Sequence, residues 1–342
     1  MPKQSMKVWE LKKFGLSALE QTERPVPTPG PHELLVRINA VSLNFRDKLV
    51  VEGVFIPDLA LPFTPTSDAV GEVVAVGEGV TRFGVGDRVM GIYIPGWDYG
   101  DGSGPEGDYV SIGGPLPGVL AEYRVFNEQA VVATPSYLTD HEASTLPIAA
   151  VTAWTALFDH ARLEPGQTVL VEGTGGVSIF ALQLAKAAGA RVIVTSSSDE
   201  KLARAKALGA EEGINYNRHP DWEKQVLELT SGRGANVIIE VVGGDNVRRA
   251  TAAAARNGHV ALIGLMEGFS LTADIPLLLG QRITIRGVLV GSRRSFERLN
   301  DALEITRIHP VIDKVYPFSE TVAAFERLSR GPFGKVVIDA LA

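Results

Sequence analysis

The stretch VLVEGTGGVS, from Val169 to Ser178, carries the residues whose types and spacing most directly suggest chemistry. Gly173 and Gly175 lie between an apolar run typical of a strand and a run, SIFALQLAKAA, with the spacing of a helix. Glycines at these places permit a tight turn and let a pyrophosphate reach the backbone N–H groups that begin the helix. Ser178 stands where a third, packing glycine is usual, and serine is small enough for that role. The pattern predicts a dinucleotide-binding turn, with an ordinary strand–helix turn as the alternative.

Alternating strands and helices surround this turn and must position it. The predicted strands are TVLVE, RVIVT, NVIIEVVG, HVALIG and ITIRGVLV, and the predicted helices are SIFALQLAKAA, DEKLARAKALG, DWEKQVLELTS and NVRRATAAAAR. Continuous Val and Ile runs between helices indicate a parallel sheet covered on both faces. Earlier in the chain, ELLVRINAVSLN, AVGEVVAVGEGV and GDRVMGI predict an all-β domain, and GKVVIDALA predicts a last strand that returns to it.

Composition excludes several classes of function. The chain has 342 residues and a net charge of -7, which disfavours nucleic acid or an anionic membrane as the main partner. It has no cysteine, so disulfides and thiolate metal ligands are excluded. The segment MPKQSMKVWELKKFG has no apolar signal core, and no run approaches the roughly 20 apolar residues that span a bilayer. We therefore expect a cytoplasmic protein without a membrane partner.

Three segments are similar to segments of the medium-chain dehydrogenase/reductase family. GEVVAVGEGVTRFGVGDRVMG resembles a strand–turn–strand signature of its catalytic barrel, LEPGQTVLVEGTGGV the start of its nucleotide domain, and VIDKVYPFSETVAAFERLSRGPFGKVVI its C-terminal return segment. The resemblance covers nearly the whole chain. It implies an α/β protein with a GroES-like β-barrel catalytic domain at 1–130, completed by 291–342. A Rossmann domain with a doubly wound parallel sheet would occupy 131–290, and the active site would lie between the two domains.

The chain departs from this family at the zinc positions. The residues that line up with the catalytic ligands of its zinc enzymes are Asn44, Ser67 and Ile148. Asp68 lines up with the acidic residue that follows the metal-binding histidine in those enzymes. Isoleucine cannot ligate a metal, and Asn and Ser are poor zinc ligands, so we expect no metal. The usual cysteine-rich lobe is replaced by PGWDYGDGSGPEGDYVSIGGPLPG, whose carboxylates suit a solvated loop better than a calcium site. Those carboxylates are Asp98, Asp101, Glu106 and Asp108. The zinc-independent branch of quinone oxidoreductases and enoyl reductases is more similar, especially through LNFRD, Leu43 to Asp47.

Without a metal, the substrate must help to carry the negative charge that develops on hydride transfer. A quinone or an α,β-unsaturated carbonyl spreads that charge into a hydroquinone anion or an enolate, and hydrogen-bond donors can stabilise its oxygen. Asn44 is the first candidate donor, unless it only caps a turn. Arg46 lies at the place of the Ser/Thr relay of the zinc enzymes, and it either stabilises an oxyanion or pairs with Asp47 or Asp68.

Tyr93 is the candidate proton donor, with Tyr99 and solvent as alternatives. We expect an NADPH-dependent, metal-free reductase of a small-molecule quinone or enone. An alcohol or aldehyde dehydrogenase of the same family and a non-catalytic NADPH-binding protein are the alternatives. The strand RITIRGVLVG would leave an exposed apolar sheet edge, which predicts a homodimer paired at that edge.

The resemblance also implies which residues hold the cofactor. Ser196 lines up with the acidic residue that binds the ribose of NADH, so a neutral donor there indicates NADP(H). Lys201 can reach a 2′-phosphate as a point charge, and Tyr216 matches a tyrosine beside that phosphate. Arg218 is a second candidate cation, whereas Asp199 carries a charge of the wrong sign. SSSDEK also suits a helix N-cap and first turn. The full predicted cofactor set is Thr152, Gly173, Thr174, Gly175, Gly176, Val177, Ser196, Ser197, Lys201, Tyr216 and Gly264.

Overall fold

A computed structural model describes residues 4–100 and 110–342. The strands are β1 Ser5–Leu11, β2 Leu19–Pro25, β3 Glu33–Leu43, β4 Asp68–Val76, β5 Arg88–Gly91, β6 Tyr123–Asn127, β7 Val131–Ala133, β8 Thr168–Glu172, β9 Arg191–Ser196, β10 Glu212–Asn215, β11 Ala235–Glu240, β12 Ala254–Leu262, β13 Thr284–Gly287, β14 Ile312–Pro317 and β15 Lys335–Asp339. The α-helices are α1 Phe45–Val51, α2 Asp140–Ala143, α3 Val151–Trp154, α4 Gly176–Ala187, α5 Asp199–Ala207, α6 Trp222–Leu229, α7 Asn246–Ala253, α8 Ile275–Gln281, α9 Arg293–Thr306 and α10 Thr321–Ser329. Short 3₁₀ turns lie at Leu16–Ala18, Glu128–Ala130 and Phe318–Glu320. No helix within these ranges is long and apolar enough to cross a membrane.

The chain divides into two units, Met1–Val151 with Ser292–Ala342 and Thr152–Gly291. The first unit therefore extends beyond residue 130, the boundary that the family resemblance implied. The reason is local, because β7 pairs antiparallel with β5 and α2 contacts β3 and β4. Residues 131–151 thus belong with the first sheet.

The first unit is built on a seven-stranded sheet with the order β14-β15-β3-β4-β5-β7, in which β6 also pairs with β3. Strand β3 is long enough to take two partners along one edge: β6 pairs with residues 33–37 and β15 with residues 40–43. The last strand therefore returns to the first domain, as predicted from GKVVIDALA. Buried apolar side chains of β3, β4, β15 and α10 form its core, including Val36, Val73, Phe325 and Val336.

The second unit is a six-stranded parallel sheet with the order β10-β9-β8-β11-β12-β13. Its central strands are the continuous Val and Ile runs of the sequence, and their side chains are fully buried, as for Leu170, Ile193 and Ile238. Because every strand is parallel, all the carboxyl ends meet at one edge of the sheet. That edge carries the glycine turn between β8 and α4.

The stretch 142–163 has the apolar spacing of a helix, and the structure is helical over most of it without being one regular α-helix. The structure breaks it into α2, a π-helical turn at Leu146–Ala150, α3 and a second π-helical turn at Thr155–His160. Pro147 lies in the first π turn, and a proline lacks the N–H that would continue an α-helical ladder. The break falls where one unit passes into the other.

Candidate functional site

The turn between β8 and α4 has the geometry of an anion-binding helix start. Gly173 has a φ of 70°, a left-handed conformation that favours glycine, and its N–H donates to Thr195 O at 2.9 Å. Gly175 is the N-cap of α4 and makes no side-chain cap, so the first N–H groups of this 12-residue helix have no partner within it. A Cβ at Gly175 would meet no atom within 4 Å, which leaves open space over the turn. The residues fit the pyrophosphate of a dinucleotide.

Ser178 and Gly264 close the packing around this turn. The Ser178 hydroxyl donates to Glu172 O at 2.7 Å, so it ties the first turn of α4 to the end of β8 where a third glycine would only pack. Gly264 follows β12, and a Cβ there would lie 1.7 Å from Val241 O. Its glycine is therefore required by backbone contact at the carboxyl edge of the sheet. Whether Gly264 also touches a cofactor stays a prediction.

The other residues predicted to bind the cofactor near this turn lie in the turn itself, in the first turn of α4 and on α3. Gly176 and Val177 form the first turn of α4, and Thr174 is buried in the glycine turn. Thr152 lies on α3, is 1% exposed, and has a hydroxyl without a hydrogen-bond partner in the described ranges. A buried hydroxyl without a partner is unusual, and its spare capacity suits a ligand amide.

The ends of β9 and β10 form a polar corner on the same edge. Asn215 pairs with Ser196 across the two parallel strands, and Tyr216 N donates to Ser196 O at 3.1 Å. Tyr216 is 41% exposed, while Ser197 is exposed and its carbonyl accepts from Asn217. The sheet thus brings Ser196, Ser197 and Tyr216 together. The serine run also caps a helix, because the Ser198 hydroxyl accepts from Lys201 N at 3.3 Å.

Asp199, whose negative charge opposes phosphate binding, forms an ion pair and a hydrogen bond with neighbouring residues. Its carboxylate pairs with the Arg218 guanidinium and accepts from the Asn215 amide at 2.6 Å. The pairing offsets the negative charge and holds Arg218 beside the serine corner. Sequence reasoning did not single out Asn215.

Two buried carboxyl groups beneath the glycine turn were also missed. Glu172 ends β8 and Glu240 ends β11, and the Asn246 amide donates to both, at 2.8 and 2.9 Å. Glu240 also accepts from Gly243 N at 2.8 Å. Burial, followed by the charge of Glu240 and a hydrogen bond to it, raises the pKa of Glu172 well above its ordinary value. The signal in the sequence was a glutamate at the end of each of two apolar strands, TVLVE and NVIIE.

Asn44 joins β3 to α1 in the first unit. Its backbone N–H donates to Asp47 Oδ2 at 2.8 Å, and its side-chain Oδ1 accepts from Lys335 Nζ at 2.6 Å. Asn44 is 9% exposed, and its Nδ2 has no hydrogen-bond partner of normal geometry in the described parts of the chain. Hydrogen bonding from the Asn44 side chain is one of the causes that lower the pKa of Asp68, so Nδ2 lies close to that carboxyl, although not at normal hydrogen-bond geometry.

Lys335 and Asp68 form a buried ion pair beside Asn44. Lys335 Nζ lies 3.8 Å from Asp68 Oδ2 and donates to Leu43 O at 2.8 Å. Asp68 also accepts from Ser67 Oγ at 3.1 Å and from Ile148 N at 3.2 Å. Burial raises the pKa of Asp68, and the Lys335 ammonium opposes that rise. The residues that line up with zinc ligands are therefore engaged with one another. Lysine at the start of the apolar run KVVID was the signal that could have found this residue.

Arg46 is held by backbone carbonyls. Its guanidinium donates to Gly113 O at 3.1 Å and Gly114 O at 3.4 Å, and pairs with Asp47 at 3.3 Å. The Arg46 plane also lies over the Tyr93 ring, 5.1 Å from its centroid. Burial raises the pKa of Asp47 to about 6, and Arg46 opposes this rise. These contacts favour the pairing alternative for Arg46 over an oxyanion role.

Of the two candidate tyrosines, Tyr93 is enclosed and Tyr99 is 74% exposed. Burial raises the pKa of Tyr93, whereas the Arg46 cation and a hydrogen bond with Ser111 lower it. Tyr93 therefore keeps its proton at neutral pH.

No cluster of three or more His, Asp or Glu side chains within residues 4–100 and 110–342 could hold a metal ion. Asp98 pairs with Arg293 at 3.2 Å. Asp101, Glu106 and Asp108, the other carboxylates of the replaced lobe, lie outside the described residues.

Comparison with known proteins gives consistent matches along the chain. Residues 30–136 match the alcohol dehydrogenase GroES-like domain, and residues 176–305 match the zinc-binding dehydrogenase domain. A zinc-type alcohol dehydrogenase-like protein of Schizosaccharomyces pombe is 41% identical, over 95% of this chain and 96% of that protein. Quinone oxidoreductase-like protein 2 of Bos taurus is 31% identical, over 93% of this chain and 87% of that protein.

Among solved structures, a protein of Sinorhizobium meliloti 1021, provisionally named an alcohol dehydrogenase, has a TM-score of 0.94 and 47% identity. That match covers 99% of this chain and 100% of the other. The GroES-like domain and the Rossmann-like parallel sheet expected from the sequence are confirmed. The chain belongs to the medium-chain dehydrogenase/reductase family of oxidoreductases.

Proposed function

We propose that this protein is an NADPH-dependent reductase that transfers a hydride to a quinone or an α,β-unsaturated carbonyl without a catalytic metal. The observation that carries the proposal is the buried Asn44 amide, whose Nδ2 makes no hydrogen bond of normal geometry within residues 4–100 and 110–342, at a place where zinc enzymes of the family bind metal. Asn44, Ser67 and Ile148 supply no strong zinc ligand, and Asp68 is already bonded to Ser67 and Ile148. Relatives named quinone oxidoreductase support the same branch of the family.

The role of Asn44 follows from the charge that develops on the substrate. The reduced nicotinamide supplies the hydride when bound, and the acceptor oxygen then becomes negative. An amide N–H aimed at that oxygen stabilises it more after the transfer than before, which accelerates the reaction. A quinone or enone needs only such a donor because its own π-system spreads the charge.

Proton delivery is assigned to Tyr93 in this proposal. Its raised pKa keeps the phenol protonated, and Arg46, stacked on the ring, stabilises the phenolate after the proton leaves. Arg46 is in this way a neighbour of the proton donor, with its own guanidinium held by Gly113 and Gly114.

The preference for NADPH rests on the corner formed by β9 and β10. Ser196 and Ser197 are neutral, Tyr216 offers an exposed ring, and Asp199 is paired with Arg218. A 2′-phosphate would meet Lys201 and Arg218 there, and a dianion is recognised well by such cations.

A panel of acceptors tests the proposed function. The purified protein is mixed with NADPH or NADH and para-benzoquinone, cyclohexenone, an enoyl thioester or an aldehyde, and cofactor absorbance is followed. We expect oxidation of NADPH with the quinone or the enones and little with the aldehyde. Tight NADPH binding without turnover of any acceptor would support the non-catalytic alternative.

Metal analysis separates this proposal from a zinc-dependent alcohol dehydrogenase, since some structural relatives are named alcohol dehydrogenases. We expect unchanged activity after dialysis against a chelator. Stoichiometric zinc, with activity lost to the chelator and restored by zinc, would contradict the metal-free mechanism.

A further inference from the structure

Lys335 is a buried cation whose hydrogen bonds converge on the junction between β3 and α1. It opens β15, is 3% exposed, and donates to Leu43 O at 2.8 Å and Asn44 Oδ1 at 2.6 Å. The preceding Gly334 has a φ of 84°, and a Cβ there would lie 2.3 Å from Val311 O, so the turn into β15 is tightly constrained. The position of the ammonium is therefore set by the sheet.

The Lys335 contact determines which way the Asn44 amide points. An ammonium group only donates hydrogen bonds, so the amide atom 2.6 Å from Nζ must be the oxygen. The amide nitrogen then occupies the opposite side of the group. The orientation of an asparagine amide is usually ambiguous, and here the cation removes that ambiguity.

The nitrogen that results has unused donor capacity. Asn44 is only 9% exposed, and its Nδ2 makes no hydrogen bond of normal geometry within the described ranges. Nδ2 lies close to the Asp68 carboxyl, but it carries two hydrogens, so at least one of them remains available. Buried donors without partners are rare in folded proteins, because each forfeits its bonds to water. A donor kept in this state suits a group that arrives with the substrate.

We propose that Lys335 is a positioning residue that holds Asn44 Oδ1, so that Nδ2 is presented to the developing oxyanion of the substrate. The inference rests on the proposed function, in which Asn44 is that donor. The cation also polarises the amide, because a carbonyl oxygen that accepts from an ammonium makes its own N–H a stronger donor. Asp68, 3.8 Å from Nζ, balances the charge and keeps the ammonium in place.

A double-mutant cycle between Lys335 and Asn44 tests this dependence. Lys335→Met, Asn44→Ala and the combined variant are assayed with NADPH and para-benzoquinone, and kcat, KM and the NADPH dissociation constant are measured. We expect Lys335→Met alone to lower kcat by about tenfold or more while KM changes by less than about threefold. In the Asn44→Ala background it should lower kcat by less than about twofold further, because Lys335 acts through the amide.

Lys314→Met is the matched control. Lys314 lies on the neighbouring strand β14, is exposed, and has its ammonium 4.5 Å from the centroid of the Tyr316 ring. We expect its kcat to match that of the wild-type protein.

Removing the ammonium leaves Asp68 buried without its cation, which destabilises the fold. The cycle is therefore also measured with Asp68→Asn present in all four variants, and circular dichroism verifies folding. An equal loss of kcat from Lys335→Met in both Asn44 backgrounds would overturn the inference and leave the proposed function standing. An unchanged kcat in Asn44→Ala alone would overturn both.

Discussion

At the scale of single residues, substitutions can separate the proposed donor, Asn44 Nδ2, from the hydrogen bond that Asn44 Oδ1 accepts from Lys335. Asn44→Ala should lower kcat on the order of 10²–10³-fold, because one oxyanion donor is lost. Asn44→Asp is the matched variant, since a carboxylate keeps an acceptor for Lys335 but offers no donor, and it should lose a similar factor. NADPH affinity, measured by fluorescence titration, should change by less than about twofold in both. Wild-type turnover in either variant would remove the amide from the mechanism.

Lys201 provides the second test at this scale. A charge-assisted hydrogen bond to a 2′-phosphate is worth roughly 1.5–3 kcal/mol, or about 10- to 150-fold in affinity. Lys201→Ala should therefore weaken NADPH by about that factor and leave NADH nearly unchanged. Lys206→Ala on the same helix, where Lys206 pairs with Glu212, should change neither dissociation constant. Equal weakening of both cofactors by Lys201→Ala would contradict the assignment.

At the scale of elements, the sequence predicted those strands whose pattern of apolar residues is local and regular. The Val and Ile runs of β8, β9 and β11 could be recognised because a buried parallel strand needs an unbroken apolar stretch. The apolar spacing of residues 142–163 indicates a helix, and most of the stretch is helical, but spacing does not reveal where α geometry gives way to π turns, as at Pro147. The roles of Lys335 and of the Glu172–Glu240 pair were missed because their partners lie far away in the sequence. A local sequence pattern does not predict such long-range contacts.

The carboxyl pair at the ends of β8 and β11 makes stability depend on pH. The pKa of Glu172 in the folded protein lies above its ordinary value of 4.5. Its contribution to the free energy of unfolding is therefore complete below pH 4.5 and declines as the pH rises towards the folded-state pKa. The groups facing it are Glu240, Asn246 and, through its charge, Arg249. Glu172→Gln cannot ionise, and its amide can donate to Glu240. We expect this variant to melt at least about 2–4 °C above wild type at alkaline pH.

Thermal melts between about pH 5 and about pH 9 check this expectation. The melting temperature of wild type should fall with rising pH, and that of Glu172→Gln should fall less. Glu211→Gln is the control, because Glu211 is an exposed carboxyl in the same unit. Parallel pH profiles for wild type and Glu172→Gln would show that the pair does not share a proton.

At the scale of the whole molecule, we predict a homodimer formed through the β13 edge. Strand β13 is the last of its sheet, and large apolar side chains are exposed in the segments just before and after it, with Ile275 at 68%, Leu279 at 73% and Leu289 at 48% exposure. A strand whose outer edge has no neighbour in the sheet, with exposed apolar residues nearby in the sequence, favours pairing with a second copy. Light scattering at micromolar concentration should give twice the chain mass.

Charge substitutions locate this interface. Leu279→Lys combined with Leu289→Glu should shift the protein to a monomer, whereas Val85→Lys, a charge at an exposed valine of the other unit, should not. A monomeric wild type, or a dimer unaffected by the double substitution, would refute pairing at this edge.

The contact between Lys335 and Asn44 joins residues 291 positions apart, and this separation has a consequence for synthesis. Asn44 leaves the ribosome early, and its contact with the Lys335 ammonium can form only after β15, which begins at Lys335, has been translated. A messenger RNA that ends before the codon of Gly334 still encodes the entire second unit with its glycine turn, but residues 40–43 of β3 then pair only with β4 and lack β15 on their other edge. We expect such a truncated product to retain the dinucleotide-binding fold and to lack turnover, so translation would release a nucleotide-binding fragment instead of an active enzyme.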